Sequence, residues 1–134
     1  MRWGRACAAI MATLTLTAAC VRTPEVNTRP HTGTGTASAV DGVQQIVIKS
    51  GTDLRFHPST IVVHPGLVRL VLDNTSNPGP PHDITFSGLP FADVPTTQPG
   101  EAQSVTFTAP APGTYNFVCS IHANQGQTGK LIVK

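Results

Sequence analysis

Sulfur-containing side chains are scarce in this 134-residue chain, which has 3 cysteines and 2 methionines. Both methionines, Met1 and Met11, lie near the N terminus, so no thioether is available in the rest of the chain. Beyond Cys20 the only cysteine is Cys119, which excludes an internal disulfide in that region. In an exported protein, a lone thiol of this kind is either reactive or bound to a partner such as a metal.

Charged residues are also few, at 12% of the chain, and they form no run of one sign. Without Arg2 and Arg5 near the N terminus, seven basic residues balance seven acidic ones. Binding to nucleic acid normally requires a basic patch or stripe. The composition therefore argues against a nucleic-acid partner and predicts a nearly neutral mature protein.

No apolar run is long enough to cross a membrane. Residues 6–19 follow the basic Arg2 and Arg5 and carry no charge, but a spanning helix needs about 20 apolar residues. We therefore interpret residues 1–19 as a signal peptide. Cys20 follows Thr-Ala-Ala in a segment that resembles a bacterial lipobox, so we expect lipidation of Cys20 and an N-terminal lipid anchor. Cleavage without lipidation, which would release a soluble exported protein, is the alternative.

Residues 20–41 are rich in Thr, Pro and Gly and nearly free of large apolar side chains. Such a composition cannot bury a core, so it predicts a flexible tether behind the lipidated cysteine. In residues 42–134, short segments with alternating apolar residues are separated by Pro and Gly, and none has a convincing 3.6-residue period. This part of the chain is predicted to be one all-β domain, a Greek-key β-sandwich of seven to eight strands.

The predicted strands cover residues 45–49, 60–64, 67–73, 82–87, 103–108 and two segments after residue 112. Residues 75–81 and 88–100 are predicted to be the longest irregular segments. A domain of this size buries only about 60–65% of the surface of its unfolded chain. A metal that joins distant strands would therefore stabilise it.

Four side chains form a candidate metal site. Cys119, His122 and Gln127 lie on a short loop between the last two predicted strands, and His82 begins an earlier strand. Two imidazoles and one thiolate, with a weak fourth ligand on the axis, form the coordination set of blue-copper electron-transfer centres. We therefore predict one copper ion bound by His82, Cys119, His122 and Gln127.

Residues 42–134 resemble the cupredoxin family, in particular its plastocyanin-like branch. The resemblance is carried mainly by the motif Pro112-Gly113-Thr114-Tyr115-x-Phe117-x-Cys119-x-x-His122-x-x-x-x-Gln127-x-Gly129-Lys130. Two upstream motifs support it, Phe56-x-Pro58-x-x-Ile61-x-Val63-x-Pro65-Gly66 and Pro81-His82-Asp83-Ile84. The resemblance implies that His82, Cys119 and His122 are the three equatorial copper ligands.

Gln127 departs from the family pattern, which usually has methionine at this position. A glutamine there is similar to the variation found in stellacyanins. An amide oxygen is a harder donor than sulfur, so it should favour Cu(II) and lower the reduction potential. The alternatives are a solvent-facing Gln127 beside three-coordinate copper, and Gln125 as the axial donor, although its spacing fits less well. For Cys119 the alternative is an inert buried thiol.

Asp83 and Asn74 are expected to support the ligands, because a polar side chain beside the first histidine commonly hydrogen-bonds the loop that carries the cysteine. For Asn74 a plain surface or turn position is the favoured alternative. His31, His57 and His64 are interpreted as ordinary exposed histidines, since the first lies in the tether and the others lie near prolines at strand ends.

These features predict a monomeric, exported type 1 copper protein that carries single electrons between redox proteins of the cell envelope, and is not an enzyme. The expected electron port is His122, surrounded by an apolar docking rim made of Pro78, Pro80, Pro81 and Ile121. The alternative function is copper storage, delivery or sensing without electron transfer, which rapid exchange of Cu(I) with a chelator would reveal. Zinc could also fill the same donors in a purified sample.

Overall fold

Two β-sheets pack face to face in the computed structural model of the chain, which describes residues 31–76 and 78–134. The eleven strands are β1 (Thr34–Thr36), β2 (Ser38–Val40), β3 (Val43–Ser50), β4 (Phe56–His57), β5 (Thr60–Val63), β6 (Leu67–Asp73), β7 (His82–Phe86), β8 (Val94–Thr97), β9 (Ala102–Thr108), β10 (Gly113–Val118) and β11 (Thr128–Val133). The two helical turns, Pro90–Ala92 and Ala123–Gln125, are of the 3-10 type. Among the described residues, no helix is long and apolar enough to cross a membrane.

The first sheet has the order β1-β5-β11-β10-β7-β8, and the second has the order β2-β3-β6-β9, with β4 paired to β3. Both sheets mix parallel and antiparallel pairs. β5 runs parallel to β11 and β3 runs parallel to β6, whereas β10 is antiparallel to both β11 and β7. At the end of β10, Phe117 and Val118 pair with Phe86 and Thr85 of β7, so the residues that follow β10 lie beside the start of β7.

The core lies between the sheets and follows the period-two alternation of the strands. Ile46 and Ile48 of β3 are buried while Val47 between them is exposed, and β6 buries alternate residues in the same way. Phe117 of β10 is central, with ring centroids 5.3 Å from Phe56 and 5.1 Å from Phe86. Burying a side chain of this size contributes about 1.5–3 kcal/mol, so the core fixes the strands on which the candidate ligands lie.

The predicted all-β sandwich is confirmed, and its strands match the predicted segments to within one or two residues at most ends. Within residues 42–134 the structure has nine strands rather than the predicted seven or eight, and β1 and β2 lie before residue 42. The additional strands β1, β2, β4 and β8 are only two to four residues long. Strands this short contain too few alternating apolar and polar residues to be detected in the sequence. One of them, β8, lies inside the segment 88–100 that was predicted to be irregular.

The predicted tether is wrong for residues 34–40, which belong to the sandwich. β1 pairs in parallel with β5, placing Gly35 beside Ile61, and β2 pairs with β3. A side chain at Gly35 would lie 2.8 Å from Pro58, so this edge requires a glycine. Edge strands are held by backbone hydrogen bonds and need few apolar side chains, which explains why composition misled the prediction. The predicted signal peptide, Cys20 and the tether up to residue 30 lie outside the described residues.

Candidate metal centre

His82 is placed by the start of β7. It pairs with Thr97 of β8, and the pairing is irregular between His82 and Ile84. The imidazole is fully buried. Because the buried ring is packed on all sides, it cannot rotate freely. The direction of its Nδ1 atom is therefore fixed by the position of the strand.

Cys119, His122 and Gln127 lie on the loop from β10 to β11, and three backbone hydrogen bonds join them to one another. The Cys119 N–H donates to the Gln127 carbonyl at 3.0 Å, and the His122 N–H donates to the Cys119 carbonyl at 3.1 Å. The Gln127 N–H donates to the His122 carbonyl at 3.3 Å. Gly126, with φ of 82°, ends the 3-10 turn in the left-handed region that favours glycine. These backbone bonds hold the three candidate ligands of the loop close to one another.

The donor atoms of His82, Cys119 and His122 converge at one buried position, within 4.8 Å of one another. The Cys119 Sγ lies 3.4 Å from the His122 Nδ1 and 4.0 Å from the His82 Nδ1. With bonds of about 2.0 Å to nitrogen and about 2.3 Å to sulfur, a trigonal metal would separate each nitrogen from the sulfur by about 3.7 Å. The two measured distances bracket this value, so the site fits a trigonal metal ion.

Gln127 places a fourth candidate donor beside the cluster. Its side chain is fully buried, and its Oε1 lies 2.9 Å from the His82 Nδ1. Its Nε2 donates to the Ser50 Oγ at 2.7 Å, so the carbonyl oxygen is the end that faces the cluster. A solvent-facing Gln127 is therefore ruled out. Gln125 is exposed in the 3-10 turn, which removes it as an alternative axial donor.

Burial shifts the pKa values of two candidate ligands in opposite directions. The pKa of the Cys119 thiol is raised, mainly because burial disfavours the thiolate, although backbone N–H groups facing the sulfur partly oppose this. The pKa of His82 is lowered, mainly because burial disfavours the imidazolium, with the Gln127 hydrogen bond opposing. Without metal, the thiol is thus protonated and His82 is neutral at pH 7.

Asp83 contacts the cysteine loop as expected. Its carboxylate accepts the Ser120 backbone N–H at 2.6 Å and also accepts the Ser120 hydroxyl. Asn74 supports the other side of the site: its Nδ2 donates to the Thr97 carbonyl at 3.1 Å and to the Pro80 carbonyl at 3.3 Å. Asn74 is fully buried, so the alternative of a plain surface position for it is wrong.

The remaining described histidines lie away from the cluster. His57 is exposed and its Nε2 lies 2.7 Å from Asp53. His64 and His31 are exposed as well. The interpretation of these three residues as ordinary surface histidines agrees with their positions.

Ser50 is a residue of the site that the sequence interpretation missed. A signal was present, because Ile46, Ile48 and Ser50 occupy alternating, inward-facing positions of β3. A hydroxyl group on the apolar, inward-facing side of a strand is buried, and a buried hydroxyl normally has a hydrogen-bond partner. Its partner, Gln127, is 77 positions away in the sequence.

A β-sandwich that brings two imidazoles, one thiol and an amide oxygen to one buried position defines a mononuclear copper-binding class of protein. The chain belongs to the cupredoxin family, because a family model described as Cupredoxin-like domain matches residues 6–133. The donor set fits the single copper ion of that family.

Individual relatives agree with this assignment. Chloroplastic plastocyanin from Hordeum vulgare is 35% identical over 94 residues, which cover 63% of this chain and 57% of the relative, so the chain spans a little over half of that protein. Reduced auracyanin from the photosynthetic bacterium Roseiflexus castenholzii superposes with a TM-score of 0.60 at 26% identity, over 67% of this chain and 96% of the other. The metal-binding domain of the Cu(I)-exporting P-type ATPase CopA from Streptococcus pneumoniae D39 shares the fold, with a TM-score of 0.62 at 21% identity over 78% and 99% of the two chains.

Proposed function

We propose that this protein is an exported type 1 copper protein that carries single electrons between redox proteins of the cell envelope. The observation that carries the proposal is the convergence of His82, Cys119, His122 and the Gln127 carbonyl oxygen on one buried position. A soft thiolate with two imidazoles and a weak axial donor suits both oxidation states of copper.

The chain holds these donors in place before any metal arrives. His82 is fixed by β7, and the loop from Cys119 to Gln127 is closed by its own backbone hydrogen bonds. Copper bound here would supply a one-electron couple between Cu(I) and Cu(II). Because the donors are fixed by strands and by a closed loop, they would move little when the charge changes, which favours rapid electron transfer.

His122 is the proposed electron port, because it is the ligand nearest the surface. Its side chain is 8% exposed, whereas Cys119 and His82 are fully buried, and the neighbouring Ile121 is 44% exposed. Pro78 is exposed as well, and Pro80 and Pro81 are half-buried. We propose that this apolar rim docks the redox partners. With nearly balanced charges, docking should depend only weakly on salt.

Copper storage or delivery is the weaker alternative. The fold alone does not separate copper storage or delivery from electron transfer, since the CopA metal-binding domain, which has a similar sandwich, was solved with Cu(I). The buried donors argue against copper delivery, because a delivery site must be open to a receiving partner. An enzymatic function is also disfavoured, because four protein donors around one position leave no open position for a substrate.

Spectroscopy of the purified protein after addition of Cu(II) tests the proposal. We expect an intense thiolate-to-copper absorption band in the visible range, and its loss in Cys119→Ser. Gln127→Met should keep the band and raise the reduction potential, because sulfur is a softer donor than an amide oxygen. A colourless protein that binds copper only as Cu(I) would refute electron carriage and favour copper handling. Zinc content should be measured in the same samples.

Export and anchoring are proposed from the sequence, with residues 1–19 as a signal peptide and Cys20 as the lipidated residue. Mass spectrometry of the mature protein tests this directly. We expect an N-terminal acylated Cys20 in the membrane fraction and release of a Cys20→Ala variant from it. An unmodified N terminus at residue 20 or 21 in a freely diffusing protein would instead establish export without an anchor.

A further inference from the structure

Ser50 is an inward-facing polar residue at the end of β3, in the second sheet. It continues the buried face of Ile46 and Ile48, and its side chain is only 7% exposed. Gln127 lies just before β11, in the first sheet. The hydrogen bond from the Gln127 Nε2 to the Ser50 Oγ therefore joins the end of β3 in the second sheet to the residue before β11 in the first sheet, next to the candidate metal centre.

The orientation of the Gln127 amide decides whether it can be a ligand. A primary amide has a carbonyl oxygen that can bind a metal and an NH2 group that only donates hydrogen bonds. With Nε2 on the Ser50 hydroxyl, Oε1 faces the His82 Nδ1 at 2.9 Å. If the amide were reversed, the NH2 group would face the donor cluster and no axial oxygen would be present.

We propose that Ser50 is a positioning residue for the axial donor: its hydroxyl accepts the Gln127 Nε2–H and thereby keeps the carbonyl oxygen directed at the metal. This inference rests on the proposed function, since it assigns the axial contact of the same copper site. Ser50 is not one of the candidate ligands, and its contact with the site is the hydrogen bond to Gln127.

Loss of the hydroxyl should weaken the axial contact. In Ser50→Ala the fully buried Nε2 loses its acceptor, so the amide must rotate or reverse to find another. An axial oxygen that is held less firmly stabilises Cu(II) less. The reduction potential of Ser50→Ala should therefore be higher than that of the natural sequence, and its Cu(II) electron-spin spectrum should differ. Ser50→Thr keeps a hydroxyl and should restore both properties.

A double-mutant comparison separates positioning from general packing. Ser50→Ala should raise the potential when residue 127 is glutamine and should not shift it in the Gln127→Met background, where no amide is present. An equal shift in both backgrounds, or no shift in either, would overturn the proposal. Ser59→Ala is the matched control, because this buried hydroxyl accepts the Thr32 N–H and contacts no candidate ligand. It should lose stability without a change in potential.

A measurement on the metal-free protein distinguishes failure of this inference from failure of the proposed function. In the copper-free protein, the Gln127 side-chain NH2 resonances should be resolved and protected from hydrogen exchange, and the protection should be lost in Ser50→Ala. Rapid exchange of these protons in the unsubstituted protein would show that the amide is not held, and would refute the inference even if Ser50→Ala fails to fold. Absence of a thiolate-to-copper band with a protected amide would refute the proposed function alone.

Discussion

The Asp83 carboxylate accepts the backbone N–H of Ser120 at 2.6 Å, across 37 positions of sequence. The first residue follows His82 and the second follows Cys119, so one side chain joins the two segments that carry the buried ligands. The same carboxylate also accepts the Ser120 hydroxyl. Burial is the main cause of the raised pKa of the Cys119 thiol, and the negative charge of Asp83 adds a smaller contribution in the same direction.

Two substitutions at Asp83 separate its hydrogen bonds from its charge. Asp83→Ala leaves the Ser120 N–H without its acceptor and should lower the free energy of unfolding by about 1–3 kcal/mol. Asp83→Asn keeps an acceptor oxygen and removes the charge, so stability should change less. Its reduction potential should rise by on the order of 10–60 mV, because a negative charge favours Cu(II). Chemical unfolding and voltammetry measure the two effects.

Asp93→Asn is the control for this comparison, since the Asp93 carboxylate accepts the Phe86 N–H at 2.7 Å and does not contact the ligand loop. Its potential should stay close to that of the unsubstituted protein. Equal shifts for Asp83→Asn and Asp93→Asn would mean that only overall charge matters.

Copper uptake should release a proton from Cys119. Burial raises the pKa of this thiol, so it is protonated at pH 7, while the lowered pKa of His82 leaves that ring neutral. The thiolate is the form that binds metal, so binding should release about one proton per copper from this pair of residues. A pH indicator in weakly buffered protein records the release. Cys119→Ser should not release this proton, and a copper-loading protein that releases none would contradict the assigned ligand.

The loop ligands could be predicted from the sequence because their signals are local. Cys119 and His122 are three residues apart, directly after a strand whose alternation buries Phe117, so the spacing alone places them together. His82 required one further step, since it begins a strand that lies beside β10 only in the folded sheet. The fold class followed from the alternation of the longer strands, which the core contacts confirm.

Contacts that depend on how the two sheets pack could not be predicted in this way. The bond between Ser50 and Gln127 joins different sheets and requires the relative placement of β3 and β11. Asn74 looked like a turn residue, because its partners, the carbonyls of Thr97 and Pro80, belong to irregular or very short segments. Residues 34–40 have the composition of a tether but form edge strands. Their pairing rests on backbone hydrogen bonds, which require no apolar side chains.

Acid should destabilise the copper-free protein through His82. Because burial lowers its pKa in the folded state, the unfolded chain takes up the proton first as the pH falls below about 6.5. The contribution of neutral His82 to the free energy of unfolding is thus fully present above that pH. It is lost as the pH falls towards the lowered pKa of the folded state, with a slope of up to about 1.4 kcal/mol per pH unit. Urea unfolding at about pH 7.5, 6.5 and 5.5 measures it.

The contribution of His82 can be isolated with two variants. His82→Gln should flatten the dependence on pH, because it removes the titrating ring. His57→Gln is the matched control, because it removes an imidazole from an exposed position that is not among the candidate ligands. An identical slope in His82→Gln and in the unsubstituted protein would assign the acid sensitivity to another group.

Ile121 should control electron exchange between two copies of the protein. Self-exchange needs no known partner, and the apolar rim beside His122 is the expected meeting surface. Ile121→Glu should slow the exchange by on the order of tenfold, because apolar burial worth about 1.5 kcal/mol is lost from the encounter. Line broadening in mixtures of the Cu(I) and Cu(II) forms measures the rate. Leu67→Glu adds the same charge at a residue that is 48% exposed on β6, and it should have little effect. Similar slowing by both variants would exclude the rim as the docking surface.

Gly129 should tolerate no side chain, because β11 passes too close to its neighbours at this point. A Cβ there would lie 2.4 Å from the Phe117 ring and 2.7 Å from the Ser59 backbone oxygen. Neither group can move without disturbing the core or β5, so Gly129→Ala should lower the free energy of unfolding by about 2 kcal/mol or more. Gly113→Ala is the matched strand control, since its nearest neighbour, the Tyr115 hydroxyl oxygen, would lie at an ordinary 3.6 Å. If chemical unfolding showed equal losses for the two variants, the close packing of β11 against Phe117 would be wrong.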